Sequence, residues 1–275
     1  MSEADETTDP NDRQFVKALA RGLDVLRCFD RPHAVLNVAE IARRLGMSQP
    51  TAWRLCYTIL KCGFLVRSST GRGLSIGAPA ITLGYIAAQG QNARSVAMPY
   101  LRSIVDDIGT SATLSLRADD EMIWMEQIDG DMIVRDHAIG WGAPLDTVAA
   151  GLAVLAALPE QEREMAMARM ALADPERLER HRDRVAQAVA SLADNGHVEL
   201  TGGFGGRYAS VAVPLFPTGT APSEQWCLVC GGIMGAWSEN GLGHVAQRLV
   251  ATRALLAPAM AALEAQSASP DSLRA

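Results

Sequence analysis

The chain contains 275 residues, of which 48% are hydrophobic, and it carries a formal net charge of −6. This length predicts two domains, because domains usually contain about 100 to 150 residues. No run of about eighteen apolar residues occurs, and the N-terminus is acidic where a secretory signal is basic, so we expect a soluble, cytoplasmic protein without a membrane partner. Five cysteines, an odd number, favour reduced thiols over a disulfide framework.

The charges fall into three blocks. Residues 1–12 sum to −5, residues 13–76 to +8 and residues 77–275 to −9. A compact basic segment in an otherwise acidic protein is typical of binding to the phosphate backbone of nucleic acid. The alternative is a solvated charged surface without a partner. We expect residues 1–12 to form a disordered acidic tail.

Two helices are predicted at the start of the basic segment. The first, over residues 14–29, packs through an apolar stripe with helical spacing: Phe15, Leu19, Leu23, Leu26 and Phe29. The second begins after Asn37, an N-cap that pairs with Glu40 as in a capping box, and it ends at Gly46.

A third helix is predicted after Ser48, which is a good N-cap. Its apolar residues share the inward face: Ala52, Leu55, Cys56, Ile59 and Leu60. Gln49, Trp53 and Arg54 must then lie outside. A helix, a short turn and a second helix with such an outer face are typical of the helix-turn-helix, whose second helix enters the major groove. The alternative is a plain helical hairpin in which Trp53 packs on a neighbour.

Side-chain chemistry predicts the contacts of this third helix with double-stranded DNA. Arg54 suits guanine or a phosphate, and Gln49 suits adenine. Ser48 or Thr51 suits a phosphate oxygen.

A wing is predicted after the third helix. Residues 64–67 and 74–76 have the pattern of two short strands around a glycine-containing turn. Arg67 and Arg72 flank its tip, where they reach a phosphate or the minor groove. We therefore predict a DNA-binding domain over residues 13–77.

The acidic remainder predicts a linker helix over residues 78–94, packed against a partner chain, and an α+β domain with an antiparallel sheet over residues 95–266. Asp146 is expected to cap the helix that follows it. Residues 267–275 are expected to be disordered. The predicted strands are 113–116, 122–128, 207–215 and 225–234, with a hairpin from 129 to 134, and the predicted helices are 99–108, 147–158, two within 159–194, and 241–265.

Several runs of this sequence resemble a known family. "FVKALARGLDVLRCF", "LNVAEIARRLGMSQPTAWRLCYTILKCGFLVR" and "GRGLSIG" are similar to the N-terminal domain of IclR-type bacterial transcription regulators. The resemblance implies a winged helix-turn-helix domain, a GAF/profilin-like effector-binding domain, an operator as partner, and a homodimer or tetramer. It assigns operator contacts to Gln49, Thr51, Trp53, Arg54 and the wing arginines. The first run is most similar to the subgroup that controls the breakdown of aromatic acids.

The C-terminal half carries the same resemblance in "GWGAPLDTVAAGLAVLAAL", "YASVAVPLF" and "WCLVCGG". A small organic acid suits the N-terminus of the helix after Asp146, where free amides and the helix dipole favour an anion. The resemblance names the candidates for effector binding: Ala149 and Ala150 through their amides, Ser210, Cys230, and either Glu199 or Thr201. Trp124, Trp141 and Tyr208 are candidates for an aromatic slot, with core packing as the alternative. The chain departs from the family at Asp146 and Leu152, where histidine and lysine are common.

No catalytic residue, cofactor or metal site is predicted. Cys227 and Cys230 form a single CxxC in an apolar strand, which favours core thiols over zinc or redox chemistry. Two other functions remain open: a small-molecule hydrolase that uses Ser210, Cys230 or His197, and a nucleoid protein without an effector. A hydrolase needs a base beside its nucleophile, and no such pair is recognisable.

Overall fold

The computed structural model describes residues 14–29, 33–69, 71–90, 92–131, 139–202, 206–233 and 241–267. These residues belong to two compact units, and the chain passes from the first to the second between Ala87 and Ala88. The predicted acidic tail, the second strand of the hairpin from 129 to 134, and residues 268–275 of the predicted C-terminal tail lie outside the described residues.

The first unit is a three-helix domain with a small antiparallel hairpin. Its elements are α1 (Lys17–Arg27), α2 (Val38–Arg44), α3 (Gln49–Lys61), β1 (Leu65–Arg67) and β2 (Leu74–Ile76), followed by α4 (Ala78–Gly90). Leu36 forms a single antiparallel β-bridge with Leu74, so one further residue pairs with β2 of the hairpin.

The turn between α2 and α3 is defined by local hydrogen bonds. Asn37 Oδ1 accepts a hydrogen bond from the Glu40 amide at 2.9 Å, which caps α2 as predicted. Gly46 has φ +58°, a left-handed conformation that ends α2 and that glycine adopts without strain. Ser48 Oγ then accepts from the Thr51 amide at 3.4 Å and caps α3.

The core of this unit lies between the three helices and the hairpin. Val25, Ile41 and Cys56 are completely buried in it. The predicted packing of the whole α1 stripe is wrong, because Leu19 and Leu23 are 63% and 51% exposed. Within α1 the fully buried residue is Val25, so the apolar side chains of Leu19 and Leu23 lie on the surface of the single chain.

The second unit confirms the predicted α+β class with an antiparallel sheet. Six strands pair in the order β5-β4-β3-β8-β7-β6. The elements are α5 (Asn92–Ile108), β3 (Ser111–Ala118), β4 (Glu121–Ile128), β5 (Gly142–Pro144), a 3-10 helix (Leu145–Thr147), α6 (Ala149–Ala157), α7 (Glu160–Ala173), α8 (Pro175–Asn195), β6 (Val198–Gly202), β7 (Tyr208–Pro214), β8 (Trp226–Ile233) and α9 (Gly241–Ser267).

Each face of the sheet has its own hydrophobic core. One face packs against α6, α7 and α8 through residues that include Cys227 and Val229 of β8. The other face packs against α5 and α9 through residues that include Leu228 and Cys230. Successive side chains of a strand alternate between faces, so β8 contributes to both cores.

Two local predictions in this unit are wrong. The helix predicted to start at Pro99 starts at Asn92, because the buried stripe of Ala93 and Ala97 extends it on the N-terminal side of the exposed proline. Asp146 does not cap α6: it lies within the 3-10 helix and is completely buried, and the N-cap position belongs to Val148. The predicted linker helix over 78–94 corresponds to α4 together with the start of α5.

Candidate functional site

The outer face of α3 carries large polar and aromatic side chains, as predicted. We define the α3 surface as Gln49, Trp53, Arg54 and Tyr57, which are all exposed. Trp53 and Tyr57 are 42% and 49% exposed, and their ring centroids lie 6.0 Å apart. The Arg54 guanidinium has no hydrogen-bond or ion-pair partner among the described residues. Since Ala52 and Cys56 are completely buried on the opposite face, the α3 surface is held facing outward.

Ser48 and Thr51 belong to the first turn of α3. Besides the capping bond, their hydroxyl oxygens lie 2.9 Å apart and share a hydrogen bond. Both predicted phosphate contacts are therefore at the N-terminus of the helix, where backbone amides also favour an anion.

A basic groove runs between α1 and α3. It has a volume of about 660 Å³, and Lys17 and Arg21 of α1 line it together with Trp53, Arg54 and Tyr57. Lys61 adds a further cation, with Nζ 5.4 Å from the centre of the Tyr57 ring. The groove thus combines positive charge with aromatic surface.

The wing has the predicted strands. Leu65 pairs with Ile76 and Arg67 with Leu74, and the Ser68 amide donates to the Gly73 carbonyl at 2.9 Å. Arg67 and Arg72 are exposed on either side of the turn.

A second site lies in the C-terminal unit, between α6 and the sheet. We call this cavity of about 490 Å³ the α6 pocket. Its wall contains hydroxyl, amide, aromatic and cationic groups, and none of its lining residues is acidic. The lining comprises Ser111, Thr113, Trp124, Gln127, Thr147, Val148, Ala149, Ala150, Arg184, Leu200, Thr201, Gly202, Tyr208, Ser210, Val229 and Gly231.

The N-terminus of α6 opens into this pocket. Ala149 and Ala150 are its first two residues, and Val148 at the N-cap position supplies no side-chain hydrogen bond. The amides of a first helical turn have no carbonyl partner within the helix. The backbone amides of Ala149 and Ala150, which the family resemblance names as effector contacts, therefore lie at an open cavity.

One row of residues crosses the pocket floor. Ser111, Gly231, Ser210 and Leu200 are successive partners on β3, β8, β7 and β6. Ser210 Oγ donates to the Leu200 carbonyl at 3.5 Å, whereas the buried Ser111 Oγ has no partner among the described residues. A Cβ atom at Gly231 would lie 2.1 Å from the Tyr208 hydroxyl, so glycine there makes room for the tyrosine.

Cys230 does not line the pocket, and that placement was wrong. Its neighbours Val229 and Gly231 face the cavity, whereas Cys230 is completely buried in the core on the other side of the sheet. Burial raises the pKa of the Cys230 thiol to about 12, so the thiol stays protonated and unreactive at neutral pH.

Two further predicted residues lie beside the pocket. Glu199 is turned away, with Oε1 3.1 Å from His197 Nε2, and Thr201 lines the cavity in its place. Trp141 packs edge-on against Trp124 at a centroid distance of 4.7 Å, so Trp124 is the tryptophan that faces the cavity.

Sequence reasoning missed Ser111 and Arg184. Ser111 alternates with Thr113 along β3, and this period of two is a signal that could have placed both on the pocket face. Arg184 lies seven residues after Arg177 on α8, which is two helical turns along the same face. Arg177 contacts Asp146 just before α6, so the α8 face that carries Arg177 and Arg184 lies toward the pocket.

The described residues contain no group of three or more histidine, cysteine or acidic side chains arranged to hold a metal ion. Among the helices that the structure describes, none is both long and apolar enough to cross a membrane.

Comparison with protein families identifies both units. Residues 18–69 match the IclR helix-turn-helix domain, and residues 86–197 match the C-terminal domain of the bacterial transcriptional regulator IclR. The chain belongs to the IclR family of transcription regulators. The α3 surface therefore lies on the DNA-binding domain of an IclR-family protein, and the α6 pocket lies in its effector domain.

Individual relatives agree with this family. An IclR-family regulator from Brucella abortus of known crystal structure is 28% identical, with a TM-score of 0.82 over 92% of this chain and 95% of that one. The HTH-type regulator TsaQ1/TsaQ2 of Comamonas testosteroni is 24% identical over 75% of each chain. The transcriptional repressor IclR of Escherichia coli is 28% identical over 54% of this chain and 55% of its own.

Proposed function

We propose that this IclR-family regulator binds a double-stranded operator through α3 and the wing, as a dimer or tetramer, and that a small organic acid in the α6 pocket controls this binding. The observation that carries the DNA part is the exposed α3 surface on the second helix of a helix-turn-helix. Its side chains have the chemistry to contact bases, and buried neighbours fix their direction.

Base contacts come from Arg54 and Gln49, because arginine pairs with guanine and glutamine with adenine in the major groove. The backbone contacts come from the first turn of α3, from Lys17 and Arg21 in the adjoining groove, and from the wing arginines.

Exposed apolar helices support self-association. Leu19 and Leu23 of α1 are exposed in the single chain, and four large side chains of α4 are exposed as well. These are Ile81, Leu83, Tyr85 and Ile86. Several large apolar side chains exposed on one helix typically lie in an interface. A dimer covers it and places two copies of α3 at operator half-sites about one helical turn apart or a multiple of that spacing.

An acidic effector is supported by the chemistry of the α6 pocket. The free amides of Ala149 and Ala150 favour a carboxylate, and Trp124 and Tyr208 offer aromatic surface to an aromatic acid. Ser210 donates to a backbone carbonyl and has no general base beside it among the described residues, so we propose ligand binding without catalysis. The effector regulates only if it binds two arrangements of the dimer unequally.

Electrophoretic mobility shift with the promoter region next to its own gene tests both parts. We expect a discrete protein–DNA complex whose binding free energy Arg54→Ala weakens by about 1–3 kcal/mol. We also expect benzoate or another small acid to change the affinity of the protein for this DNA. Arg180→Ala, an exposed change of the same charge on α8, is the control and leaves the complex unchanged. Equal affinity of parent and Arg54→Ala for specific DNA would refute the DNA surface. Indifference to every acid of an aromatic and aliphatic panel would refute acid sensing.

A further inference from the structure

We propose that the α6 pocket selects an acid with two anionic groups, a dicarboxylate, with one carboxylate at the N-terminus of α6 and the other on Arg184. This inference rests on the proposed acid sensing and adds the class of acid.

Arg184 supplies the second anion-binding point. It is the one cationic side chain among the described residues that line the pocket, and no acidic residue lines it. Its guanidinium makes no hydrogen bond or ion pair with any described residue. A planar guanidinium with free donors pairs with a carboxylate through two parallel hydrogen bonds. Arg184 is exposed to solvent, and it gives the pocket wall a positive charge that no acidic lining residue offsets.

Arg184 and the first two residues of α6 are different points on the wall of one cavity. Arg177 Nε donates to Asp146 at 3.2 Å, which fixes the start of α8 beside the segment that leads into α6. Seven residues of helix advance about 10 Å, so the backbone of Arg184 lies about two turns further along α8 than that of Arg177. A ligand that reaches both points needs an acidic group at each end, and a cavity of about 490 Å³ has room for it.

Ser111 shows independently that the pocket is built for a polar ligand. Ser111 is only 8% exposed, yet its Oγ has no hydrogen-bond partner among the described residues. An unpaired buried hydroxyl is unfavourable, and it lies on the pocket floor in the row that also contains Ser210. A carboxylate oxygen that reaches the floor accepts this hydrogen bond and satisfies the group.

The arrangement predicts discrimination by charge. A monoacid occupies the α6 amides and leaves Arg184 unpaired, whereas a diacid pairs both points. Hydrogen bonds between charged groups are stronger than neutral ones, so we expect a clear difference in affinity between a diacid and its half-neutral analogue.

Calorimetric titration of the full-length protein tests this with matched probes. Succinate, glutarate, adipate, isophthalate and terephthalate are each compared with their own monoamide, which removes one charge and keeps the size. We expect the best-binding diacid to bind about tenfold more tightly than its monoamide, a difference of about 1.4 kcal/mol. In Arg184→Gln this ratio falls to about one, with monoamide affinity unchanged, and Arg184→Lys restores part of it.

Arg180→Gln is the matched control, because Arg180 is exposed on the same helix and does not line the pocket. It keeps the parent ratio. Equal affinities of diacid and monoamide for the parent overturn the two-anion inference and leave acid sensing intact. A tenfold ratio that survives in Arg184→Gln overturns the role of Arg184. Absence of binding by diacids, monoamides and benzoate alike overturns both this inference and the proposed acid sensing.

Discussion

Arg177 Nε donates a hydrogen bond to the carboxylate of Asp146 at 3.2 Å and so joins α8 to the 3-10 helix that leads into α6. Asp146 is completely buried, and His181 Nδ1 lies 2.8 Å from the same carboxylate oxygen. Two side chains of α8 thus hold one buried anion. The contact fixes the helix that carries Arg184 relative to the amides at the start of α6.

Asp146→Asn should lower the free energy of unfolding by about 3 kcal/mol, measured by urea denaturation. The substitution keeps the size of the side chain but leaves the largely buried guanidinium of Arg177 with only the exposed Asp174 carboxylate, 3.6 Å away, as charge partner. Breaking a buried pair typically costs about 3–5 kcal/mol, and the remaining contact puts the expected loss at the lower end of that range. Asp120→Asn is the control, because the pair of Asp120 with Arg169 is solvent-exposed and contributes at most about 1 kcal/mol. Equal losses in the two variants would contradict a structural role for Asp146.

Arg72→Ala should reduce the salt dependence of DNA binding without changing sequence preference. If Arg72 contacts one phosphate, the slope of log affinity against log salt concentration falls in magnitude by about 1. The slope is measured on the promoter fragment and on unrelated DNA by fluorescence anisotropy at several salt concentrations. Arg180→Ala, on the effector domain, keeps the parent slope. An unchanged slope in Arg72→Ala would remove the wing arginine from the interface.

The sequence predicted the direction of the α3 surface because one local rule decides it. A stripe at helical spacing that includes Ala52 and Cys56 leaves Trp53 and Arg54 on the other side, whatever the helix packs against. Gly46 and Ser48 mark the ends of the turn by backbone chemistry that is also local. These features do not depend on contacts with distant parts of the chain.

The α6 pocket was less predictable because tertiary packing decides its members. The run WCLVC of β8 is apolar on both faces, since helices cover both sides of the sheet, so alternation alone does not tell which face Cys230 occupies. Arg184 is one of four arginines between residues 177 and 184 of α8, and their local pattern looks like a solvated helix face. The tertiary contact between Arg177 and Asp146, and not the local pattern, indicates which face of α8 lies near the pocket.

Thiol labelling of the native protein should modify Cys62 alone. Cys62 is exposed at the end of α3, whereas the other four cysteines are buried. Burial raises the pKa of the thiols of Cys28, Cys56 and Cys227 above the ordinary value, and it raises the pKa of Cys230 to about 12. The thiolate is the reactive form of cysteine. At pH 8 we therefore expect one thiol per chain to react rapidly with Ellman's reagent in the parent protein and none in Cys62→Ser. Fast reaction of Cys230 would place it in an open pocket after all.

Ser111→Ala should weaken ligand binding without loss of stability. Its buried hydroxyl has no partner in the free protein, so removing it relieves an unsatisfied donor, and the free energy of unfolding stays constant or rises by up to about 1 kcal/mol. The affinity for the best-binding acid falls several-fold, because one hydrogen bond from the floor is lost. Ser115→Ala is the matched control on the same strand: Ser115 Oγ donates to the Cys227 carbonyl at 3.3 Å, and Ser115 is not among the lining residues. It should lower stability by about 1 kcal/mol and leave affinity unchanged. A Ser111→Ala variant that loses stability and keeps full affinity would show that the hydroxyl serves the fold and not the ligand.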